Sequence, residues 1–194
     1  LTLRERGIAI GDRVAILLPQ SIETVVGHLA AYKLGAIAVP LAALFGEDAL
    51  RYRLAASGAS ALLTDAAGFA RVAAFRQYLS DLRTVICTDG PAPSAEGYRE
   101  IVAASAGEFT PAGTGPDDPA LMIFTSGTTG PPKGALHAHR VLLGHLPGMR
   151  ITHDGLDRAD DRLWTPSDWA WAGGLLNCLL PGLALGVPVV FGPF

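Results

Sequence analysis

The sequence is poor in cysteine and in charged residues. Its two cysteines, Cys87 and Cys178, lie far apart in apolar surroundings, so we expect two reduced core thiols of a cytoplasmic protein. Charged residues make up 17% of the 194 residues, the net charge is −3, and no basic cluster occurs, which argues against a nucleic-acid or anionic-membrane partner. Apolar residues make up 49%, which is typical of a globular chain rather than a disordered one.

Long apolar runs are also missing. The most apolar stretch, Leu175 to Phe191, is interrupted by Asn177, prolines and glycines, so we expect no transmembrane segment. No signal-peptide core follows Leu1, which argues against secretion. Because the sequence starts without Met and stops abruptly at Phe194, we expect residues 1–194 to be part of a longer protein.

Short β-rich runs alternate with longer amphipathic ones, which predicts an α/β fold with a parallel-rich sheet and helices on both faces. Predicted strands are Val14–Leu18, Ala36–Val39, Ala61–Thr64, Thr84–Cys87, Leu121–Phe124, Arg162–Trp164 and Val187–Phe191. Predicted helices are 22–34 with Ser21 as cap and Gly35 as terminator, Glu47–Ala56 before Gly58, Arg71–Leu79, a helix from about His137, and Gly174–Leu185. Turn-rich connectors are expected at 89–94 and 107–119.

A polar, glycine-rich loop follows the strand that ends at Phe124. It reads Thr-Ser-Gly-Thr-Thr-Gly-Pro-Pro-Lys-Gly over residues 125–134. Glycines allow close backbone approach to an anion, successive amides can form an anion-binding nest, and hydroxyls add rotatable donors. Together with the charge of Lys133, this pattern predicts a polyphosphate site. The predicted phosphate-binding residues are Thr125, Ser126, Gly127, Thr128, Thr129, Gly130 and Lys133.

Other nucleotide-binding signatures are absent. A Walker A loop needs Ser or Thr after its lysine, whereas Gly134 follows Lys133, and there is no dinucleotide fingerprint. The run F-T-S-G-T-T-G-P-P-K-G at 124–134 instead resembles the signature of the adenylate-forming (AMP-binding) superfamily. The segments G-D-R-V-A-I-L-L-P-Q at 11–20 and Y-K-L-G-A-I-A-V-P-L at 32–41 resemble the same superfamily, so the likeness covers nearly the whole chain.

The resemblance implies an ATP-dependent acid–CoA ligase. Such enzymes activate a carboxylic acid as an acyl-adenylate and then transfer the acyl group to CoA, so ATP, Mg2+, CoA and a small carboxylic acid are the implied ligands. It also implies that the chain is a partial N-terminal domain, truncated at both ends and lacking the small C-terminal domain. Because the downstream adenine, ribose and lysine motifs have no counterpart here, we expect this piece alone to be inactive or nearly so.

A second segment resembles the part of acetyl- and acyl-CoA synthetases that lines the acyl pocket. In S-D-W-A-W-A-G-G at 167–174, Asp168, Trp171 and Gly174 match, and Ala170 replaces a glycine. If Trp171 limits chain length, a short or medium acid is favoured. Of the nearby histidines, we expect His139 to be structural or close to substrate and His137 to face solvent, with no metal site.

Two alternatives remain open from the sequence. The first is an amino-acid or aryl-acid adenylating domain, in which Asp168 would meet an amino group. The second is a catalytically inactive, truncated nucleotide-binding module.

Overall fold

The computed structural model describes residues 1–126 and 130–192. The strands are β1 (Arg13–Leu17), β2 (Ile37–Pro40), β3 (Ala59–Thr64), β4 (Thr84–Cys87), β5 (Glu96–Gly97), β6 (Pro119–Thr125), β7 (Lys133–Ala138), β8 (Leu163–Trp164) and β9 (Val189–Val190). The helices are α1 (Thr2–Glu5), α2 (Ile22–Leu34), α3 (Glu47–Ser57), α4 (Ala66–Ala73), α5 (Tyr98–Ala104), α6 (Val141–Thr152), α7 (Ala172–Gly174) and α8 (Leu180–Leu185). A 3-10 turn spans Arg76–Tyr78, and a π-helical stretch, Leu175–Leu179, joins α7 to α8.

Seven strands form one mostly parallel sheet in the order β5-β4-β3-β1-β2-β6-β7. Strand β1 lies at its centre, paired in parallel with β2 and β3, and the exception to the parallel pattern is β7, which runs antiparallel to β6. The predicted mixed α/β fold with a parallel-rich sheet is therefore confirmed.

Both faces of the sheet are covered by helices. Neighbouring residues of a strand point to opposite sides, so each central strand contributes side chains to two cores. On β1, Val14 and Ile16 pack into a core with α2 and α5, while Ala15 and Leu17 pack into a second core with α3 and α4. Every residue of β3 is buried, as expected for a strand of a parallel sheet that is covered on both faces. Because β1, β2 and β6 are neighbouring parallel strands, their carboxyl ends lie side by side at one edge of the sheet.

Local signals placed several elements correctly. Ser21 caps α2, its hydroxyl accepting a hydrogen bond from the Thr24 amide at 3.1 Å, and Gly35 ends the helix with φ of +74°. Gly58 ends α3 in the same left-handed conformation, and β4 has the predicted bounds. These features confirm the helix and strand boundaries that the sequence predicted there.

The prediction of a helix from about His137 is wrong. Residues Lys133–Ala138 form β7, and the helix begins only at Val141. The segment K-G-A-L-H-A contains no β-branched residue, so its strand character comes from pairing with β6 rather than from propensity. The prediction of one helix over Arg71–Leu79 is also wrong, since α4 starts earlier, at an Asp65 cap, and ends at Ala73.

The two strands nearest the C-terminus form a separate, smaller sheet. Strands β8 and β9 pair in parallel, and a separate apolar cluster packs beside them from Met149, Leu156, Leu163, Cys178 and Val187. Cys87 and Cys178 are both buried and free, as predicted.

Within the described part of the chain, no helix is both long and apolar enough to cross a bilayer.

Candidate functional site

The predicted phosphate loop connects the two strands of an antiparallel hairpin. Thr125 at the end of β6 pairs with Lys133 at the start of β7, so their side chains start from neighbouring points, and both are exposed. Ser126 and Gly130 are also exposed on the two arms of the connection. The predicted residues Gly127, Thr128 and Thr129 lie outside the described residues. The hairpin therefore brings a hydroxyl and an ammonium group together at the carboxyl edge of the sheet.

Helix α3 supports the second arm of this loop. The Tyr52 hydroxyl donates a hydrogen bond to the Pro132 carbonyl at 2.9 Å, and the Tyr52 ring meets the Phe124 ring edge-on, with 6.4 Å between centroids. Gly134 lies so close to Met122 that an added Cβ would approach the Met122 sulfur to 2.8 Å. These contacts fix the direction in which the loop leaves the sheet.

A second loop, residues 41–46, follows β2 at the same edge and is held from two sides. The Arg71 guanidinium donates hydrogen bonds to the carbonyls of Ala43, at 2.8 Å, and Phe45, at 2.6 Å. The backbone of Ala43 also acts on the Asp168 carboxylate, in the direction that lowers its pKa. The two hydrogen bonds from Arg71 orient the backbone of this loop, and the Phe45 side chain extends from it.

The predicted acyl-pocket segment crosses the carboxyl edge of the sheet. Gln20, just after β1, donates from its amide to the carbonyls of Thr165, at 3.1 Å, and Ser167, at 2.8 Å. Asp168 also accepts from the Ala170 amide at 2.8 Å. Burial raises the pKa of Asp168, while the backbone amides of Ala170 and Ala43 act in the opposite direction. The carboxylate is thus held by its own segment and faces the loop after β2.

The three predicted pocket residues, Asp168, Trp171 and Gly174, lie within seven residues and differ in their environment. Trp171 is 43% exposed, and its ring meets Phe45 edge-on with 5.9 Å between centroids. Gly174 is buried, and an added Cβ would come within 2.7 Å of the Asp168 carbonyl oxygen. Trp171 is therefore available to a ligand, while Gly174 permits close backbone packing and presents no side chain.

Two residues that the sequence did not single out, Phe45 and Arg53, join the phosphate loop to this segment. The Arg53 guanidinium carbon lies 4.1 Å from the Phe45 ring centroid and 5.9 Å from that of Phe124. A line of contacts therefore runs from Trp171 through Phe45 and Arg53 to Phe124, the residue before the loop. The position of Phe45, shortly after a strand of a parallel sheet, is the signal that could have identified it, because ligands bind at the carboxyl ends of such strands.

The two histidines after the loop lie on different parts of the structure. His137 is on β7, opposite Leu121, and is partly exposed. His139 follows β7, its ring packs edge-on against Tyr32 with 6.0 Å between centroids, and its Nε2 is buried without a hydrogen-bond partner. Among residues 1–126 and 130–192, no group of three or more His, Cys, Asp or Glu is placed to hold a metal ion.

Comparison with known proteins identifies the family. Residues 2–193 match the family described as AMP-binding enzyme. The chain belongs to the AMP-binding enzyme family. This AMP-binding chain is 30% identical, over 98% of its length, to the 3-hydroxybenzoate–CoA/4-hydroxybenzoate–CoA ligase of Thauera aromatica. It is 29% identical, over 97% of its length, to the acetyl-coenzyme A synthetase of Emericella nidulans.

A solved structure with the same fold is the acyl-CoA synthetase of Brucella canis. It superposes with a TM-score of 0.85 at 32% identity and covers 99% of this AMP-binding chain. The chain corresponds to 35% of that structure, 36% of the Thauera ligase and 30% of the Emericella synthetase. The chain thus spans about a third of the length of these relatives, and the superfamily resemblance read from the sequence is confirmed.

Proposed function

We propose that this AMP-binding chain is part of an ATP-dependent acid–CoA ligase and carries its phosphate-binding loop. The proposed enzyme activates a carboxylic acid as an acyl-adenylate, releases pyrophosphate and transfers the acyl group to CoA. Family membership and similarity to CoA ligases support this reaction class. Residues 1–194 would then be part of the large N-terminal domain, and the remainder of the enzyme would complete the ATP site.

The observation that carries the proposal is the juxtaposition of two segments at one sheet edge. The hairpin arms present Thr125 and Lys133, and Phe45 and Arg53 connect them to the segment that contains Asp168 and Trp171. Adenylation needs a triphosphate and a carboxylate side by side. This edge of the sheet meets that requirement, because it presents the Thr125 hydroxyl and the Lys133 ammonium group in one place and the aromatic rings of Phe45 and Trp171 in another.

The chain's own groups would act mainly by positioning and electrostatics. The Lys133 ammonium would lie near the β- and γ-phosphates and stabilise the negative charge that develops on the departing pyrophosphate. The hydroxyls of Thr125 and Ser126 would donate hydrogen bonds to phosphate oxygens, together with the predicted loop residues Gly127 to Gly130. Trp171, packed on Phe45, would form one wall of the acid pocket.

The proposed Mg2+ fits this edge only as part of the nucleotide complex. Exposed Thr125 and Ser126 hydroxyls are oxygen ligands of the kind that Mg2+ accepts, but the described residues offer no cluster of acidic groups that would hold it alone. Mg2+ bound to the phosphates would neutralise part of their charge.

An aryl acid is the second candidate for the substrate. It is favoured by the Phe45–Trp171 pair, whose edge-on rings offer an aromatic wall, and by similarity to the hydroxybenzoate–CoA ligase. A short or medium aliphatic acid is the first candidate, from the resemblance of Trp171 to the tryptophan that limits chain length. Exchange activity with acetate, butyrate and 4-hydroxybenzoate would separate the two.

The test uses acid-dependent exchange of labelled pyrophosphate into ATP, in the complete protein that carries this chain. We expect exchange that depends on Mg2+ and on the acid, and a loss of a hundredfold or more in the Lys133→Ala, Gly127→Ala variant, on the order of what transition-state charge stabilisation contributes. Exchange at the wild-type rate in this variant would refute the proposed role of the loop. We expect no exchange from residues 1–194 alone, and turnover by that piece would refute its dependence on the rest of the enzyme.

The proposed location is the cytoplasm. The two free, buried thiols support it, since disulfides are common in secreted proteins and rare in cytosolic ones. Fractionation of cells that express a tagged form of the protein would check it.

A further inference from the structure

Arg53 lies between the two halves of the proposed site. It belongs to α3, and its guanidinium is placed over the Phe45 ring at 4.1 Å and near the Phe124 ring at 5.9 Å. Phe45 contacts Trp171 on the acid side, and Phe124 precedes the phosphate loop. The charge of Arg53 is therefore located where a carboxylate and a phosphate would meet.

The hydrogen-bonding capacity of Arg53 is mostly unused. One terminal nitrogen, Nη1, donates to the Ala49 carbonyl at 3.0 Å, while Nε–H is buried with no hydrogen-bond partner. Within the part of the chain that the structure describes, Arg53 forms no ion pair, whereas Arg51 on the same helix pairs with Asp48 at 3.3 Å. Stacking on an aromatic ring satisfies the face of a guanidinium but leaves its N–H edge available.

An unpaired, partly desolvated guanidinium is costly for a fold to keep. Burial lowers the pKa of Arg53, which means that its surroundings do not compensate the charge well. Buried donors without partners are exceptions in native proteins, and groups of this kind cluster at binding sites. An anionic ligand would supply both the missing charge and the missing acceptor.

The neighbouring cations show why Arg53 differs from a structural arginine. Arg71 uses its guanidinium on the carbonyls of Ala43 and Phe45, so it is committed to holding a loop. Lys133 is exposed at the hairpin and can supply a point charge. Arg53 offers instead a planar fork, the geometry that suits two oxygens of one phosphate or carboxylate.

We propose that Arg53 is an additional substrate-binding residue, which donates hydrogen bonds to anionic oxygens bound at this edge. The inference rests on the proposed function, because it takes those oxygens to belong to the polyphosphate of the nucleotide or to the carboxylate of the acid. These two sources share the same chemistry, and separate measurements distinguish them.

The first measurement is calorimetric titration of the complete protein with inorganic tripolyphosphate. Wild type is compared with Arg53→Gln, Arg53→Lys and the control Arg51→Gln, which removes an arginine from the same helix. If Arg53 binds phosphate oxygens, Arg53→Gln weakens binding by about tenfold to a hundredfold, as expected for a charged hydrogen bond. Arg53→Lys recovers only part of this loss because an ammonium lacks the fork, and Arg51→Gln leaves affinity unchanged.

The second measurement is the KM for the acid in the pyrophosphate exchange reaction. If Arg53 binds the carboxylate, Arg53→Gln raises this KM by a similar factor while tripolyphosphate affinity stays at the wild-type value. If Arg53→Gln changes neither the tripolyphosphate affinity nor the KM for the acid, the inference is overturned and the role of Arg53 is structural alone. The Lys133→Ala variant separates this result from failure of the proposed function, since a loss of tripolyphosphate affinity in Lys133→Ala alone leaves the phosphate loop supported.

If Arg53→Gln fails to fold, both measurements are made on Arg53→Lys instead, because this variant keeps the charge and the alkyl stem. Tripolyphosphate affinity and acid KM both at wild-type values in folded Arg53→Lys overturn the bidentate contact. Weak tripolyphosphate binding that is unaffected by Lys133→Ala overturns the proposed phosphate site, and it overturns the inference as well when neither tripolyphosphate affinity nor the acid KM changes in the Arg53 variants.

Discussion

His28 is a fully buried imidazole in the middle of α2. Its Nδ1 lies 3.0 Å from the Tyr32 hydroxyl, and its Nε2 is buried without a hydrogen-bond partner. Burial lowers the pKa of His28 to about 4, since the charged form cannot be solvated there. The folded protein therefore keeps this side chain neutral at pH values where the unfolded chain takes up a proton.

The sign of the resulting pH dependence follows from that difference. Between about pH 6.5 and pH 4 the unfolded state binds more protons, so we expect His28 to reduce the free energy of unfolding by about 3 kcal/mol as the pH falls through this range. Denaturant unfolding of wild type and His28→Gln at several pH values would measure it. The decrease should be smaller in His28→Gln and unchanged in the control His153→Gln, which alters an exposed histidine. An equal pH dependence in all three proteins would contradict the prediction.

Asp168 lies between two loops. Its carboxylate accepts a hydrogen bond from the Ala170 amide at 2.8 Å, and the Ala43 backbone acts on it in the direction that lowers its pKa. In Asp168→Asn, one acceptor oxygen is replaced by an NH2 group that would face a backbone N–H, so we expect the loop of residues 41–46 to open more often. NMR hydrogen exchange at Ala43 should become about tenfold to a hundredfold faster, as for loss of a charged hydrogen bond. The exposed Asp157→Asn should leave it unchanged, and an unchanged rate in Asp168→Asn would show that the loop does not depend on this carboxylate.

At the scale of elements, the end of α7 depends on a glycine that the sequence assigns to the acyl pocket. A Cβ on Gly174 would lie 2.7 Å and 2.8 Å from the backbone oxygens of Asp168 and Ser167, whereas a Cβ on Gly173 would meet nothing within 4 Å. We expect Gly174→Ala to lower the free energy of unfolding by about 1–3 kcal/mol through overpacking. Gly173→Ala should be neutral or stabilise by up to about 1 kcal/mol, since alanine favours helix. Denaturant unfolding of both variants checks the pair, and equal stabilities would contradict the close packing at Gly174.

Elements with their own boundary signals could be predicted from the sequence. Helix α2 has a capping Ser21 and a terminating Gly35, and both act locally, within a turn of the helix end. Strand β7 carries no such signal, because its pairing with β6 is a contact between segments and its residues have low strand propensity. The same reason explains why the sequence predicts the start of a helix there.

The candidate site also contains residues that local sequence signals reveal and residues that only tertiary contacts reveal. The loop of residues 125–134 was found because glycines, hydroxyls and a lysine are close in sequence and form a recognisable motif. Phe45 and Arg53 were not found, since their meaning depends on Phe124 and Trp171, which lie far away in the chain and are brought near only by the sheet. Residues whose role depends on tertiary contacts can be recognised only once the fold is known.

At the scale of the whole molecule, stability should be concentrated in the seven-stranded sheet. Its central strands are buried on both faces, between a core that includes α2 and one that includes α3 and α4. Among the residues that the structure describes, the cluster beside β8 and β9 is smaller, with five buried residues. Because local opening costs less where fewer apolar contacts are lost, the two regions should differ in their protection from exchange.

Two leucine-to-alanine substitutions would test this difference in protection. Leu62 is fully buried in β3, and Leu163 is 4% exposed in β8. We expect Leu62→Ala to lower the unfolding free energy by about 2–5 kcal/mol and to speed hydrogen exchange across the sheet, because the cavity lies in the shared core. Leu163→Ala should speed exchange mainly in α6, β8 and β9 and leave the amides of β1 and β3 protected. Equal loss of protection in β1 and β3 in both variants would mean instead that the small cluster and the sheet unfold as one cooperative unit.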